Sequence, residues 1–355
     1  MKLLLAPMAA LSHEALRRTI ARFGGCDEYY TEMIHAASFI NGGPYERCYA
    51  SCAPEAEKTV WQLTGAHEKE LVRCAELLTE TEGASSVIGI DINMGCPAPE
   101  IYRQGAGIAW MSKPFEQVES MLRGVRLACG SKRLSAKIRL GEEDFTLQGL
   151  FDFADMLCSC GVERITLHPR TRKERYARPP RVQYVRLLGE FIKARYPAVS
   201  VAGNGAIDGP KSLADFAAQC PLSDAFMIGR AAVQKPWIFS VLKRSAKPDG
   251  RDTKEPGARD AEEAGTCAAE IGGCGAELQI DLVKIAEDFI ADLEACQPAD
   301  FWKTRTQRFF AYYCDNVSFA HYIKSQVLNQ KDHRAMLERF MRYFDEMPQE
   351  RVLNV

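Results

Sequence analysis

A thiol and a carboxamide lie three residues apart in the segment 91–97, which reads Asp-Ile-Asn-Met-Gly-Cys-Pro and follows a hydrophobic run. Gly95 permits a sharp turn and Pro97 cannot donate a hydrogen bond to a neighbouring strand, so the chain leaves its sheet here. Cys96 is therefore presented at the end of a strand, with Asn93 beside it. A cysteine in such a place can act as a nucleophile, a metal ligand or a proton donor.

Eight segments with the composition of strands recur along the first 245 residues, and amphipathic helical patterns separate most of them. This alternation predicts a TIM (β/α)8 barrel, an α/β fold in which a helix covers each parallel strand. A doubly wound open sheet is the alternative, but it usually has fewer strands and a glycine-rich first turn, which residues 6–9 do not supply. The predicted strands are Lys2 to Ala6, Glu28 to Thr31, Thr59 to Leu63, Val87 to Ile92, Leu134 to Leu140, Arg164 to His168, Ser200 to Ala202 and Ala225 to Ile228.

The composition changes after Ser245. Residues 246–278 are rich in alanine, glycine and glutamate and carry a formal charge of −4, which predicts an acidic linker or insertion without regular structure. The pattern from 279 onward is helical. We therefore divide the chain into a barrel domain (1–245), a linker (246–278) and a helical domain (279–355).

The overall composition argues against several classes of protein. With 355 residues, 46% apolar and 26% charged, the chain is typical of an ordinary globular protein. No run approaches the roughly 20 apolar residues that cross a bilayer, and the apolar start ends at Pro7, so we expect a cytoplasmic protein. The 13 cysteines are odd in number and form no C-x-x-C pair, which predicts free thiols rather than disulfides or a metal site.

Glycines and a cation mark the ends of the last two predicted strands. Strand seven runs into residues 203–206, which read Gly-Asn-Gly-Ala, and strand eight runs into Gly229 and Arg230. TIM barrels often bind phosphate in the loops after these two strands, where glycines let backbone N–H groups approach an anion. We therefore predict a phosphate site there.

Strands three, five and six add Gln62, Lys137 with Arg139, and His168. Alternation along strand five places Lys137 and Arg139 on one side, at the mouth of the barrel. A buried lysine is costly without a negative partner, so Lys137 should face one. A lone histidine is more often structural than catalytic, but His168 shares this rim with the other polar groups, which favours a functional site.

A flavin mononucleotide, FMN, fits this distribution of groups. Its phosphate would lie at strands seven and eight, and Lys137 would stabilise the negative charge that builds near N1 of the reduced ring. Gln62 would bond the polar edge of the ring, and Cys96 would lie on the side where a substrate binds.

An ordered set of motifs along the whole barrel resembles the tRNA-dihydrouridine synthases. The resemblance implies an FMN enzyme that takes electrons from NADPH and reduces the C5=C6 bond of one uridine in tRNA. It also implies that hydride passes from flavin N5 to uracil C6 while Cys96, as general acid, protonates C5. The motifs are the segments 6–9, 30–33, 62–63, 91–99, 105–107, 137–139, 168–172, 203–205 and 228–231.

The resemblance also implies a role for each site residue. Asn93, Arg139 and Arg170 are assigned to the uridine. The residues assigned to the flavin are Pro7, Met8, Ala9, Gln62, Lys137, His168, Asn204, Gly205, Ala206, Gly229 and Arg230. Two departures stand out, because Ala206 replaces the acidic residue usual in the family and the segment 173–180 lacks the usual signature.

The helical domain is the predicted tRNA-binding unit. On a helix, Trp302, Thr306, Phe309 and Tyr313 share one face, which we expect to be core. Arg305, Arg308 and Tyr312 lie on a neighbouring arc that is suited to hold phosphates. Basic residues near the barrel mouth strengthen the case for RNA, namely Arg170, Arg172, Lys173, Arg175, Arg178 and Arg181.

Two other functions remain open from the sequence. The first is a flavin enzyme that acts on a free pyrimidine, similar to dihydroorotate dehydrogenase, although such an enzyme would not need a basic helical appendage. The second is a non-catalytic tRNA-binding or chaperone protein, which the presence of both Cys96 and Lys137 disfavours.

Overall fold

The computed structural model describes residues 1–81, 83–174, 178–246 and 278–355. Eight parallel strands close into a barrel in chain order, and the first strand pairs with the eighth. The TIM-barrel prediction and its eight strands are confirmed. The strands are β1 (Lys2–Leu5), β2 (Glu28–His35), β3 (Thr59–Thr64), β4 (Gly89–Met94), β5 (Arg133–Ile138), β6 (Arg164–Leu167), β7 (Ser200–Asn204) and β8 (Ala225–Ile228).

Helices surround the barrel and form the C-terminal region, where a short antiparallel ribbon joins β9 (Gln279–Asp281) to β10 (Val352–Asn354). None of the helices in the described ranges is long and apolar enough to cross a membrane. The helices are α1 (Glu14–Ala21), α2 (Ala36–Ile40), α3 (Glu46–Ala50), α4 (Glu68–Glu80), α5 (Pro99–Arg103), α6 (Phe115–Cys129), α7 (Leu147–Ser159), α8 (Gln183–Arg195), α9 (Pro210–Gln219), α10 (Arg230–Gln234), α11 (Ile238–Ser245), α12 (Leu282–Cys296), α13 (Ala299–Tyr313), α14 (Ala320–Leu328) and α15 (His333–Glu346).

Several strand ends differ from prediction, and β4 matters most for the site. It starts at Gly89 rather than Val87, because residues 84–86 form a 3-10 turn, and it continues through Asn93 to Met94. The backbone of Asn93 and Met94 pairs with Lys137 and Ile138 of β5. The strand therefore carries Asn93 to the barrel mouth, and Cys96 follows two residues beyond its end.

Two apolar clusters form the core. The larger one lies mainly between the strands and the helices that cover them and continues into the helical domain. The smaller one contains side chains from β1, β2, β3, β7 and β8, among them Leu4, Tyr30, Val60 and Met227, which pack together inside the barrel. This packing fills the lower barrel and supports the mouth, where the active sites of TIM barrels lie.

The helical domain packs against the barrel. Arg22, the residue that follows α1, pairs with Asp292 of α12 at 2.5 Å, and the rings of His13 and Phe289 are 5.9 Å apart. The Asn316 amide, just after α13, donates to the Gln234 carbonyl at 2.6 Å. The first two contacts join α12 to the barrel, and the third places the end of α13 beside α10, the helix that follows β8.

Arg305 does not lie on a phosphate-binding surface, so that prediction was wrong. Its side chain is 2% exposed and forms an ion pair with the buried Glu32 of β2 at 2.6 Å. The predicted core face is largely confirmed, since Thr306, Phe309 and Tyr313 are buried, but Trp302 is only half-buried. Arg305 therefore links the helical domain to the barrel, whereas other residues of the same arc remain accessible.

Parts of the sequence predictions lie outside the described residues. Residues 247–277 make up nearly all of the predicted linker, so its character and the three domain boundaries stay predictions. Cys267 and Cys274 lie within it, whereas the eleven cysteines of the described ranges are free thiols.

A cluster of buried charges at the end of the barrel opposite its mouth gives a first testable prediction. Glu28 of β2 accepts hydrogen bonds from Arg133 at 2.5 and 3.1 Å and also pairs with Arg164. Burial alone would raise the pKa of Glu28, but the bonds and charges of the two arginines outweigh it and lower the pKa to about 2. The cluster should therefore contribute about 3 kcal/mol above pH 4.5, lost as the pH falls toward 2.

Urea unfolding between pH 7 and pH 3 would measure this contribution. We expect Glu28→Gln to lose about 2 kcal/mol of the fall in unfolding free energy between pH 7 and pH 3, whereas Asp215→Asn, at an exposed helix pair, should behave as wild type. An unchanged pH dependence in Glu28→Gln would contradict the assignment.

Candidate active site

A cavity of about 650 Å³ opens at the C-terminal mouth of the barrel. Within the described ranges, its lining includes every candidate residue from the sequence except Gln62. Those residues are Pro7, Met8, Ala9, Asn93, Cys96, Lys137, Arg139, His168, Arg170, Asn204, Gly205, Ala206, Gly229 and Arg230. The structure thus brings together side chains that the sequence spreads over more than 220 positions.

The loop after β4 is held in a defined shape. The Asn93 side-chain oxygen accepts hydrogen bonds from the backbone N–H groups of Gly95 at 3.1 Å and Cys96 at 2.9 Å. The Cys96 carbonyl accepts from the Ile108 N–H at 3.1 Å. A Cβ at Gly107, whose φ is +59°, would lie 2.6 Å from that carbonyl oxygen, so glycine is needed where the two loops meet.

The Cys96 thiol keeps its proton at neutral pH. It is half-buried, and burial raises its pKa from the ordinary value, although the Ala98 backbone and the charges of Arg139 and Lys137 oppose the shift. A protonated thiol is a poor nucleophile and a usable acid. Of the three roles that the sequence left open, this environment favours the proton donor.

Gln62 lies below the cavity rather than on its surface. Its side chain is fully buried, and its amide nitrogen donates to Asp91 at 2.7 Å while its oxygen accepts from the Asn93 amide at 2.9 Å. The structure therefore does not bring Gln62 to the position predicted for the edge of a flavin, and that contact stays a prediction.

One wall of the cavity is strongly cationic. Lys137 is half-buried, and it has no hydrogen-bond or ion-pair partner within the described ranges. Burial and the neighbouring Arg139 lower the pKa of Lys137 to about 8. Burial, together with Lys137, Arg139, Arg170 and Arg230, also lowers the pKa of His168, which is therefore neutral. A bound anion would relieve this concentration of positive charge.

The loop after β7 has an unusual backbone. Gly205 has φ of +132°, and a Cβ there would lie 3.3 Å from the His168 ring. Ala206 has φ of +53°, in the left-handed region that non-glycine residues seldom adopt. The Asn204 amide donates to the Met227 carbonyl at 2.8 Å, which ties this loop to β8. The two loops predicted to bind phosphate therefore form one side of the cavity.

Helix α13 completes the site. Arg308 and Tyr312, two of the three residues on the predicted phosphate arc, line the cavity, and Arg308 is exposed. Three further polar lining residues were missed by sequence reasoning, namely Asp208, Gln234 and Asp315. No sequence signal marks them, because each is a common surface residue that reaches the cavity only through the docking of loops and domains.

Several basic residues of the β6 loop are already paired. Arg172 pairs with Glu142 at 2.7 Å, Lys173 with Glu143 at 3.3 Å and Arg181 with Glu174 at 2.8 Å. Arg175 lies outside the described residues. Their availability to RNA is therefore lower than their number suggests.

The model of one protein family, Dihydrouridine synthase (Dus), matches residues 4–343. The chain belongs to this family. A probable tRNA-dihydrouridine synthase of Helicobacter pylori is 29% identical over 245 residues, covering 68% of this chain and 70% of that protein. The tRNA-dihydrouridine synthase B of Shewanella oneidensis is 30% identical over 242 residues, with coverage of 68% and 71%. A human tRNA-dihydrouridine(47) synthase-like protein is 32% identical over 244 residues, but the chain spans only 35% of its length.

The cavity is compatible with the flavin that the sequence predicts. Its volume lies in the usual range for small-molecule sites, about 300–1,000 Å³. Met8, Met33 and Met227 supply apolar surface for a ring system, and Arg230 with the glycine loops supplies an anion-binding end. Lys137, which has no hydrogen-bond or ion-pair partner in the described part of the chain, adds a cation to the same lining.

Proposed function

We propose that this protein is a flavin oxidoreductase that uses FMN and electrons from NADPH to reduce the C5=C6 bond of a uridine in tRNA. The observation that carries the proposal is the position of the Cys96 thiol, whose pKa is raised by burial and which lines the same cavity as Lys137, His168 and Arg230. The names of the relatives, tRNA-dihydrouridine synthases from bacteria and animals, support the choice of substrate.

The residues that line the cavity have different roles in this proposal. Lys137, His168, Asn204, Gly205, Gly229 and Arg230, with the loop 7–9, would hold the cofactor. When bound, the reduced flavin supplies the hydride for uracil C6. Cys96 donates the proton to C5, and its protonated state at neutral pH lets it do so without prior activation.

The substrate base must leave its stack to enter the cavity. The uridine is therefore everted, which costs a few kcal/mol and less in a loop than in a duplex. Asn93, Arg139 and Arg170 line the same cavity and offer donors to the base and to its phosphate. The groups that protonate and orient the uracil thus belong to the ends of β4, β5 and β6.

Arg308 is the residue of α13 best placed to contact tRNA phosphate, because it is exposed and lines the cavity mouth. We expect Arg308→Ala to weaken tRNA binding and to reduce the slope of log Kd against log salt by about one. Binding titrations at several NaCl concentrations measure this slope. Arg73→Ala, at an exposed position outside the cavity, is the control and should leave the slope unchanged.

The decisive experiment follows flavin absorbance under anaerobic conditions. The protein is reduced with NADPH, and unmodified tRNA, orotate or free uridine is then added. Rapid reoxidation by tRNA alone supports the proposal, whereas reoxidation by a free pyrimidine would favour the dihydroorotate dehydrogenase-like alternative. A protein that carries no flavin but binds tRNA would be a non-catalytic RNA-binding protein.

A further inference from the structure

Four buried side chains connect the interior of the barrel to the Cys96 loop. Ser135, Asp91 and Gln62 are each fully buried, and Asn93 is 7% exposed. The register of the barrel pairs Gln62 with Asp91 and Asp91 with Ser135 across β3, β4 and β5. Asn93 lies two residues beyond Asp91 on the same strand and hence on the same face.

Hydrogen bonds converge on Asp91 from both sides. Ser135 Oγ donates to Asp91 Oδ1 at 2.7 Å, and Gln62 Nε2 donates to Asp91 Oδ2 at 2.7 Å. Asn93 Nδ2 then donates to Gln62 Oε1 at 2.9 Å. The last two bonds run from the Gly95 and Cys96 backbone to Asn93 Oδ1.

The orientation of each amide is fixed by its neighbour. Asn93 Oδ1 is occupied by two backbone N–H groups, so only its nitrogen can face Gln62. Gln62 must then present its oxygen to Asn93 and its nitrogen to Asp91. When ionised, Asp91 is the only one of the four side chains that accepts hydrogen bonds and donates none. It therefore determines which way the hydrogen bonds point in the series that leads from the Cys96 loop through Asn93 and Gln62 to Asp91, which we call the relay.

We propose that Asp91 and Gln62 are positioning residues that act through Asn93 to fix the loop carrying the Cys96 thiol. The catalytic meaning of this relay rests on the proposed function, but its effect on the loop does not. Without the Gln62 bond, the Asn93 amide has no fixed orientation, and the Gly95 and Cys96 N–H groups lose a defined acceptor. The thiol then leaves the position from which it reaches a bound base.

Gln62→Met tests the relay because methionine has nearly the volume of glutamine but cannot form the two bonds. We expect single-turnover reoxidation by tRNA to slow by roughly 10- to 100-fold, the range typical of a misplaced reacting group. We also expect iodoacetamide to label Cys96 several-fold faster, since a released loop exposes the thiol. Labelling of Cys48, a half-buried thiol outside the relay, provides the reference in the same sample.

The double variant Asp91→Asn with Gln62→Glu gives a sharper test. The amide nitrogen introduced at position 91 would donate to the carboxylate introduced at position 62, and that carboxylate would still accept from Asn93. The double variant thereby restores the hydrogen bonds that orient Asn93 and hold the Cys96 loop. It also keeps one negative charge among these side chains. We expect turnover and Cys96 labelling to return to within a few-fold of wild type. If Gln62 acts only by donating its amide N–H to a flavin, the double variant should remain as slow as Gln62→Met.

The outcomes separate this proposal from the proposed function. A return of Cys96 labelling to the slower wild-type rate in the double variant supports the relay. This holds even if tRNA fails to reoxidise the wild-type flavin and the proposed function is wrong. Unchanged labelling and turnover in Gln62→Met would overturn the relay while leaving the proposed function intact. Asp215→Asn, at an exposed pair on α9, controls for the effect of an aspartate-to-asparagine change.

Discussion

Replacing Cys96 by alanine should slow tRNA-dependent reoxidation of the reduced flavin by about 10²- to 10⁴-fold, the usual contribution of a general acid. The thiol lines the cavity, while the hydrogen bonds that shape its loop use the Cys96 backbone. The variant should therefore keep its loop, its flavin content and its affinity for tRNA. Stopped-flow absorbance and tRNA titrations measure the two effects separately.

Matched variants sharpen this result. Cys96→Ser keeps a hydroxyl of similar size, but its much weaker acidity should leave the reaction slow. Cys48→Ala removes a half-buried thiol outside the cavity and should react as wild type. Wild-type rates in Cys96→Ala would show that another group supplies the proton.

The pH profile gives an independent check on the same thiol. A general acid loses activity as the pH rises through its pKa, and burial raises the pKa of Cys96 above the ordinary value of 9.0. The contribution of the thiol to the rate of reoxidation should therefore stay level through neutral pH and decline above pH 9. A fall centred near pH 7 would mean that the thiol is not the group that titrates.

The barrel and most of its site could be predicted because both follow from local pattern. Several strands contain a short apolar run, and the rule that active sites lie at the C-terminal strand ends selects Asn93, Cys96, Lys137 and His168 directly. Period-two alternation even places Asp91 and Asn93 on one face.

The partners of individual side chains could not be predicted in this way. Gln62 stands at a strand end as a cofactor ligand should, but the register between β3 and β4 sets it against Asp91. Arg305 lies one helical turn from Arg308, yet docking of α13 against β2 buries one and leaves the other exposed. Such outcomes depend on contacts between residues far apart in sequence, which spacing along one element does not reveal.

Arg305→Met should destabilise the protein by about 3–5 kcal/mol, because it leaves the carboxylate of Glu32 buried without its charged partner. Both side chains are at most 3% exposed, and Glu32 also accepts a hydrogen bond from the Ala10 N–H at 2.6 Å. Ala10 has φ of +59°, a strained conformation for alanine that this bond helps to hold. Urea unfolding of the full chain measures the loss.

The double variant Glu32→Gln with Arg305→Met distinguishes an unpaired charge from lost packing. It contains no buried ion at this pair, so most of the stability should return, whereas a packing defect at Arg305 would persist in both proteins. The loop 7–10 adjoins the cavity that we propose binds the flavin, so Arg305→Met should also lower flavin affinity, although Arg305 itself does not line that cavity. Wild-type stability and flavin affinity in Arg305→Met would contradict this coupling. The expected pattern would mean that docking of the helical domain helps to shape the cofactor site, so the two domains contribute to one active centre.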